Sequence, residues 1–348
     1  MNQYINAKDF GAVGDGVTND TAAIQAAIDE AAKTSSAVFL GGGVYLCGML
    51  QMRSHTALVA EPVWGYRQAK GAVIKLADPS ATCQINITGA LGATLYGLVL
   101  EGGRLGENVH GVMLDNDDFG PTEHNIRIDK CRIDGYSGDG VHLNRIWVFS
   151  LRSNMISHHG GHSVYVYGWD GWVLDNWLTG CGGAGFYSTR DAAAITFTAN
   201  RVEWNRGGGF VLSSCSTLII TGNSFDRNGG PALHIKGDSG YGHTHTITGN
   251  IFNRNGANHN HEDPHHDCQV YLTNMRGITM VGNATRASRG DQEGTNVSPS
   301  YGIVYGNLSH AIIKDNMLLK GAQKELFVDL GGNDNVIFKD NIGTLFES

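Results

Sequence analysis

One asparagine, returning in register along the chain, most restricts what this sequence can fold into. Asn154, Asn176, Asn200, Asn223, Asn250, Asn283, Asn316 and Asn341 recur at spacings of 22, 24, 23, 27, 33, 33 and 25 residues. The copies GFYSTRDAAAITFTANRVEWNRGG and GFVLSSCSTLIITGNSFDRNGG show the unit: an apolar strand, a polar step, a second apolar strand ending in Asn, then a third running into Gly. Self-similarity at such a period means stacked supersecondary units that share one core. Coils of roughly two dozen residues with three short strands predict parallel pairing between successive coils, equivalent residues lying about 4.8 Å apart. An inward Asn at a tight turn can take the left-handed conformation and hydrogen-bond to its stacked copies. The longer spacings carry insertions before Gln269 and before Gly302, as loops on one face of a solenoid would. Leucine-rich repeats need a denser Leu framework. The expectation is an all-β fold, a parallel β-helix forming a single domain over residues 1–348.

Composition removes the competitors. The 49 Gly have no three-residue period and 41% of residues are hydrophobic, which excludes collagen-like and disordered chains. A formal charge of -8 speaks against a general nucleic-acid binder, although a local groove can still oppose that sign and take an acidic substrate. Cys47, Cys83, Cys131, Cys181, Cys215 and Cys268 show no CxxC spacing and read as small buried hydrophobes. No window holds the 18 or so apolar residues of a membrane span. The opening Met-Asn-Gln-Tyr has no basic n-region or apolar h-region, which reads as a cytoplasmic protein or an exported one with its signal removed. Residues 21–33 (TAAIQAAIDEAAK) have helical periodicity, with Asp20 or Thr21 as N-cap. Within the first 50 residues or so, that helix would cap the open end of the solenoid.

The segment KDFGAVGDGVTNDTAAIQAAIDEA, followed by VFLGGGVYL, resembles the opening of the pectate-lyase-like superfamily. That group includes polysaccharide lyases, family-28-type glycosidases, fructan-transforming enzymes, uronan epimerases and phage tailspike depolymerases. The resemblance implies a single-stranded right-handed parallel β-helix with an N-terminal capping α-helix, and action on carbohydrate. Polygalacturonase signatures are partial: Asp117-Asp118 and His159-Gly160 are present, the Asn-Thr-Asp and Arg-Ile-Lys elements are not. Asp263-Pro264-His265-His266-Asp267 is similar to the Asp-Pro-His of alginate epimerases, without the Tyr-Gly-Phe those enzymes place before it.

Aligning the strand after each Gly-rich turn (GVMLD, GVHLN, SVYVY, GFYST, GFVLS, ALHIK, QVYLT) turns Val112, Leu114, Val141, Leu143, Phe186, Phe210, Leu212, Leu233 and Ile235 inward. The outward columns are then Met113, His142, Tyr165, Tyr187, Val211, His234, Tyr271 and Asp115, Asn144, Tyr167, Thr189, Ser213, Lys236, Thr273. Such a stripe suits sugar rings and their polar groups, or else a cross-coil ladder that stabilises the sheet. Asp117, Asp118, Arg145, Asp170, Arg190 and Asp191 would rim one side, and Asp139, His158, His159 and His162 the other. Arg145, Arg190 and Lys236 could grip a uronate carboxylate and acidify the adjacent C–H. Tyr187, Tyr167, His142 or His234 could remove that proton. For substrate contact the candidates are Tyr165, Tyr167, Arg145, His234, Tyr271, Trp169 and Asp115.

A second arrangement competes. Three residues after successive ladder asparagines stand Glu203 and Asp226, about 5 Å apart by strand spacing, the carboxyl separation of retaining glycosidases. Asp170 and Asp191 form another near-stacked pair. The insertion of residues 258–268 gathers His259, His261, Glu262, Asp263, His265, His266 and Asp267, a density of imidazole and carboxylate that can hold a divalent transition metal, although no cofactor is required. Exposed Trp169, Trp172, Trp177 and Trp204 could line a sugar site or an interface, and a homotrimer is one expectation for such a solenoid. The leading reading is lyase-type β-elimination on an acidic oligo- or polysaccharide. The alternatives are a glycoside hydrolase or transglycosylase using a carboxylate pair, and a non-catalytic glycan-binding or tailspike-like module.

Overall fold

Nearly every strand of the computed structural model pairs in parallel with the strand one coil later. It describes residues 4–238, 242–257, 261–288 and 298–347. The chain divides into two units, Met1–Trp172 and Val173–Ser348, and each is a stack of β-helix coils. In the first unit Val112 pairs with Val141, Ile126 with Phe149 and Arg132 with Met155, three strand positions of one coil meeting the next. In the second, Phe210 pairs with Leu233, Leu233 with Val270 and Val270 with Ile303. The opposite sheet runs Arg201, Ser224, Ile251, Ala284, Met317 in the same order.

Alternation sets the core. Val112, Leu114, Val141 and Leu143 are fully buried in the first unit, as are Phe210, Leu212, Leu233 and Ile235 in the second. Phe186 stacks on Phe210 at 4.9 Å, and Phe225 lies 5.6 Å from Phe252. Each such ring removed from water contributes about 1.5–3 kcal/mol. Long strands turn corners and pair with a separate strand of the preceding coil on each side of the bend. Val141–Arg152 does so through positive φ at Arg145 (61°) and Val148 (64°).

The asparagine ladder of the second unit is continuous. The side-chain amide of Asn176 donates to Asn200 Oδ1 at 3.0 Å, and the pattern repeats through Asn223, Asn250, Asn283 and Asn316 to Asn341. The left-handed conformation falls one residue earlier than the sequence suggests. Asp175, Ala199, Gly222, Gly249, Gly282, Asp315 and Asp340 take positive φ, and the Asn that follows does not. The reversal at the preceding residue swings the Asn side chain into the stack, where its amide also reaches a carbonyl of the preceding coil, as Asn223 reaches Phe197. A second ladder, Asn205–Asn228–Asn255–Gln269, runs at 3.1, 2.8 and 3.1 Å. Its three asparagines stand five residues after ladder asparagines, a signal present in WNRGG and DRNGG but not used above.

Helix α1 (Thr21–Thr34) buries Ile24, Ala27, Ile28 and Ala31 against the first strands. Asp20 precedes it but makes no side-chain cap. Its buried carboxylate instead accepts the N–H groups of Val13 and Gly14 at 2.7 and 3.1 Å, tying the entering chain to the helix start. All six cysteines are buried, and none forms a disulfide. Burial pushes the thiols of Cys47, Cys83, Cys131 and Cys215 up to about 12, which leaves them inert as nucleophiles.

Candidate active site

The outward columns exist where alternation places them. In the first unit Met113 pairs with His142 and Asp115 with Asn144. The His142 ring stacks on Tyr165 at 4.4 Å and 9°, and the Asn144 amide donates to Asp115 at 2.5 Å. Arg145 donates to the Asn116 carbonyl at 2.8 Å and lies over the Tyr167 ring. Phe119 stacks on Trp169 at 4.0 Å and meets Tyr167 edge-on, a packed aromatic wall that sequence reasoning did not connect to Phe119. Asp170 accepts the indole N–H of Trp147 at 2.9 Å. Asp118 closes its own turn by accepting from Gly120, and Asp117 lies exposed beside it.

The turn side of this unit is less uniform than expected. His158 contacts Asp134 at 2.8 Å. His159 does not rim a groove: it is fully buried, accepts the Tyr136 N–H at 3.2 Å, and burial pushes its imidazole down to about 4. Gly140 makes this placement feasible, because a Cβ there would stand 2.5 Å from His159 Nε2. The His162 N–H donates to Asp139, whose other oxygen meets His142 Nδ1 at 2.8 Å.

In the second unit Tyr187 pairs with Val211, Val211 with His234 and His234 with Tyr271; alongside run Ser213, Lys236 and Thr273. The insertion before Gln269 folds onto this column. His266 comes within 4.4 Å of His234, ring to ring, and 4.6 Å of Tyr271, while His234 meets Tyr271 edge-on at 5.0 Å. Tyr271 Oη contacts Asp263 at 3.4 Å. Asp263 opens the short 3-10 turn Pro264–His266, accepting the His265 N–H at 2.9 Å and facing the His265 ring at 3.1 Å. Asp-Pro-His is thus a device that fixes one carboxylate beneath two imidazoles and a phenol.

Electrostatics sets the protonation of these groups apart. Burial, then the charges of His266 and Lys236, push His234 down to about 4, leaving a neutral imidazole. Burial also lowers His266. Burial and the Asp263 carboxylate raise the Tyr271 phenol, which therefore keeps its proton. Burial raises Asp263 itself, but the His265 N–H and the His266 and His265 imidazoles outweigh that and hold it below the ordinary carboxylate range.

The other sequence candidates are placed as follows. The Arg190 N–H closes a turn onto Ser188 Oγ, and Asp191 accepts from Ser214 at 2.7 Å. Glu203 and Asp226 do stack in register on the opposite sheet. Each oxygen of both carboxylates already accepts a bond: Glu203 accepts from Trp177 at 2.8 Å and Arg201 at 2.9 Å, and Asp226 is clamped by Arg254 at 2.9 and 2.8 Å and by Arg227. Trp172 and Trp204 are exposed, whereas Trp169 and Trp177 are half-buried by the contacts just named. His259 lies outside the described residues. Asp267 turns away to accept the Ser300 N–H, and among the described residues the insertion brings no three ligand atoms together.

Among curated proteins, the mannuronan C5-epimerases AlgE5 and AlgE2 of Azotobacter vinelandii are each 63% identical over 41 residues, a match spanning 12% of this chain and 4% of the epimerase. Among solved structures, the DFA-IIIase of Arthrobacter chlorophenolicus A6 superposes with a TM-score of 0.68 at 12% identity, covering all of both chains. The A-module of mannuronan C-5 epimerase AlgE6 of Azotobacter vinelandii gives 0.64 at 16% identity, over 99% of this chain and 100% of the module. The Dettilon tailspike protein gives 0.65 at 14% identity, over 97% of this chain and 66% of the tailspike. At these identities the likeness is one of fold. Residues 110–285 match the family described as the right-handed β-helix region, and the chain belongs to that family.

Proposed function

We propose that the chain is a polysaccharide-active enzyme that removes the C5 proton of a uronate residue and completes a β-elimination at His234, Tyr271 and Lys236. The observation that carries this reading is a neutral imidazole set between a protonated phenol and an ammonium group. His234 meets Tyr271 at 5.0 Å, and Lys236 stands two positions along the same strand, on the same outward face. Lys236 pairs with the sugar carboxylate and stabilises the charge that develops as C5 loses its proton. His234 Nε2 or Nδ1 accepts that proton. The C5–H pair becomes the C4=C5 double bond, the C4–O4 bond breaks, and Tyr271 gives its proton to the leaving oxygen. The proton on His234 then restores the phenol, so the enzyme ends as it began.

The short epimerase match favours a second outcome of the same first step: the proton returns to the opposite face of C5 and the chain stays intact. The cationic and indole partners that hold both oxygens of Glu203 and of Asp226 give the hydrolase reading less support. Incubation with acidic and neutral polysaccharides in D2O separates these readings. Elimination gives new ultraviolet absorbance with new chain ends, and epimerisation gives deuterium at C5 without absorbance. Reducing ends with neither signal would overturn the proposal.

A further inference from the structure

We infer that Arg127, Arg152 and Trp172 in the first unit form a second glycan-binding site, which holds one uronate residue of an acidic polymer by its carboxylate and its ring face. They line a hollow of about 430 Å³, within the roughly 300–1,000 Å³ of small-ligand pockets. Successive coils supply it. Arg127 pairs with Ser150 and Asp129 with Arg152, and Trp172 lies on Val164–Leu174, the neighbouring strand of the sheet. Alternation buries Ile126, Ile128, Phe149 and Leu151 and leaves the two arginines exposed. Trp172 stands between buried Gly171 and Val173 and is 41% exposed. The bend at Arg145 and Val148 separates this leg of the strand from the Val141–Asn144 leg that carries His142. No residue of the hollow belongs to the unit that carries His234.

Both guanidinium groups have donors to give. Arg152 Nε donates to Ser150 Oγ at 3.0 Å and Arg127 donates to Asn125 at 3.3 Å, each to a neutral side chain two residues away. Among the described residues neither enters an ion pair, whereas Arg132 and Arg254 are held by carboxylates. A guanidinium carries five N–H donors and binds a carboxylate through two of them. By strand spacing and rise the Cα atoms of Arg127 and Arg152 lie about 8 Å apart on the diagonal, within reach of one carboxylate for two long side chains. Asp129 is the one acid lining the hollow, so two cations against one anion leave it net positive in a chain of formal charge -8. The exposed Trp172 indole adds a flat apolar face suited to the C–H face of a pyranose ring. A neutral sugar would leave the arginines idle, and a bare inorganic anion would leave the indole idle. A uronate uses both. The inference rests on the acidic-polymer part of the proposed function and not on its catalytic residues.

The test is titration of the full chain, labelled with nitrogen-15 at tryptophan, with trimers of galacturonate and of mannuronate. The chain carries Lys236→Met so that turnover does not consume the probe. The indole N–H resonance of Trp172, assigned by its loss in Trp172→Phe, should shift saturably with at least one trimer. The methyl ester of that trimer, which carries no charge, should leave it in place at equal concentration. Adding Arg127→Gln and Arg152→Gln should weaken binding at least about tenfold. No shift with either trimer overturns the inference, as does an equal shift with the ester, equal affinity for sodium sulfate, or unchanged affinity in the arginine variant. If that variant does not fold, the comparison of acid with ester decides. A saturable shift, when the parent chain turns over no acidic polymer, keeps this site and discards the catalytic reading. Turnover by the parent without a Trp172 shift does the reverse.

Discussion

His234 and His266 face each other 4.4 Å apart, ring to ring, and burial favours the neutral form of both. A base already neutral at pH 5 has an unusual kinetic signature. With its pKa near 4, His234 is deprotonated everywhere above that value, so kcat/KM should lose its acid limb only as pH falls through about 4. An ordinary imidazole would show that limb at 6.5. A profile of initial elimination rate from pH 3.5 to 8 checks this, and a limb near 6.5 would move the base role away from His234.

Lys236 depresses His234 through its positive charge. Lys236→Met removes that charge, which favours the imidazolium and moves the His234 titration upward toward 6.5. The same change removes the carboxylate partner, and turnover should fall by about 100-fold or more. Nuclear magnetic resonance titration of the His234 ring reads the first effect without depending on the second. An unmoved titration in a folded variant would separate Lys236 from the site.

Stability should carry its own pH signature. His110, His159 and His234 each drop from 6.5 to about 4 on folding, chiefly through burial. The unfolded chain therefore binds more protons below 6.5, and stability that is complete above 6.5 erodes as pH falls toward 4. For the fully buried His159 the loss approaches about 3 kcal/mol at most. Asp134, lowered to about 2 because bonds from His158 and Ser157 outweigh its burial, acts only below its ordinary 3.8. Urea midpoints at pH 7.5, 5.5 and 4.5 should fall in that order, and a flat series would contradict the burial of these rings.

In the ladder, Asn223 receives from Asn200, donates to Asn250 and reaches the Phe197 carbonyl. Asn223→Ala leaves buried amide groups of two coils without partners, at a cost of about 3 kcal/mol or more. Asn228→Ala, in the second ladder, should cost a similar amount. Guanidinium unfolding of each variant measures this, and a loss below about 1 kcal/mol would mean that the ladders follow the coils and do not stabilise them.

The coil, its three strands and its inward residues were legible because parallel stacking repeats one chemical pattern at every turn. Val112, Leu233 and Asn223 are each one instance of a column. The cap was legible as a helix, but not the use of Asp20, which depends on where the chain before it passes. Site chemistry was legible only as far as the column reaches. That His234, Lys236 and Tyr271 share a face follows from alternation. That His266 and Asp263 fold back onto them does not, because an insertion obeys no repeat. His159 was misplaced for the same reason: turn residues lack a period, and only Gly140 opposite makes room for its ring.

Glu203 offers the sharpest discrimination between reaction classes. Its carboxylate accepts from the Trp177 indole and the Arg201 guanidinium, and Arg201 lies over the Trp177 ring, so the three side chains form one closed outer-face contact. Glu203→Gln keeps the side chain's shape and an oxygen that can accept from the indole. It gives up the ion pair to Arg201 and with it the charge on a side chain only 5% exposed, and the guanidinium left behind is 62% exposed and solvated by water. The variant should therefore fold, melt within a few degrees of the parent and retain full elimination. A retaining glycosidase that lost its nucleophile or acid in this way would lose nearly all turnover. Side-by-side assays of Glu203→Gln and Lys236→Met thus decide the class: activity lost only with Lys236 marks elimination or epimerisation, and activity lost only with Glu203 marks hydrolysis through the carboxylate pair.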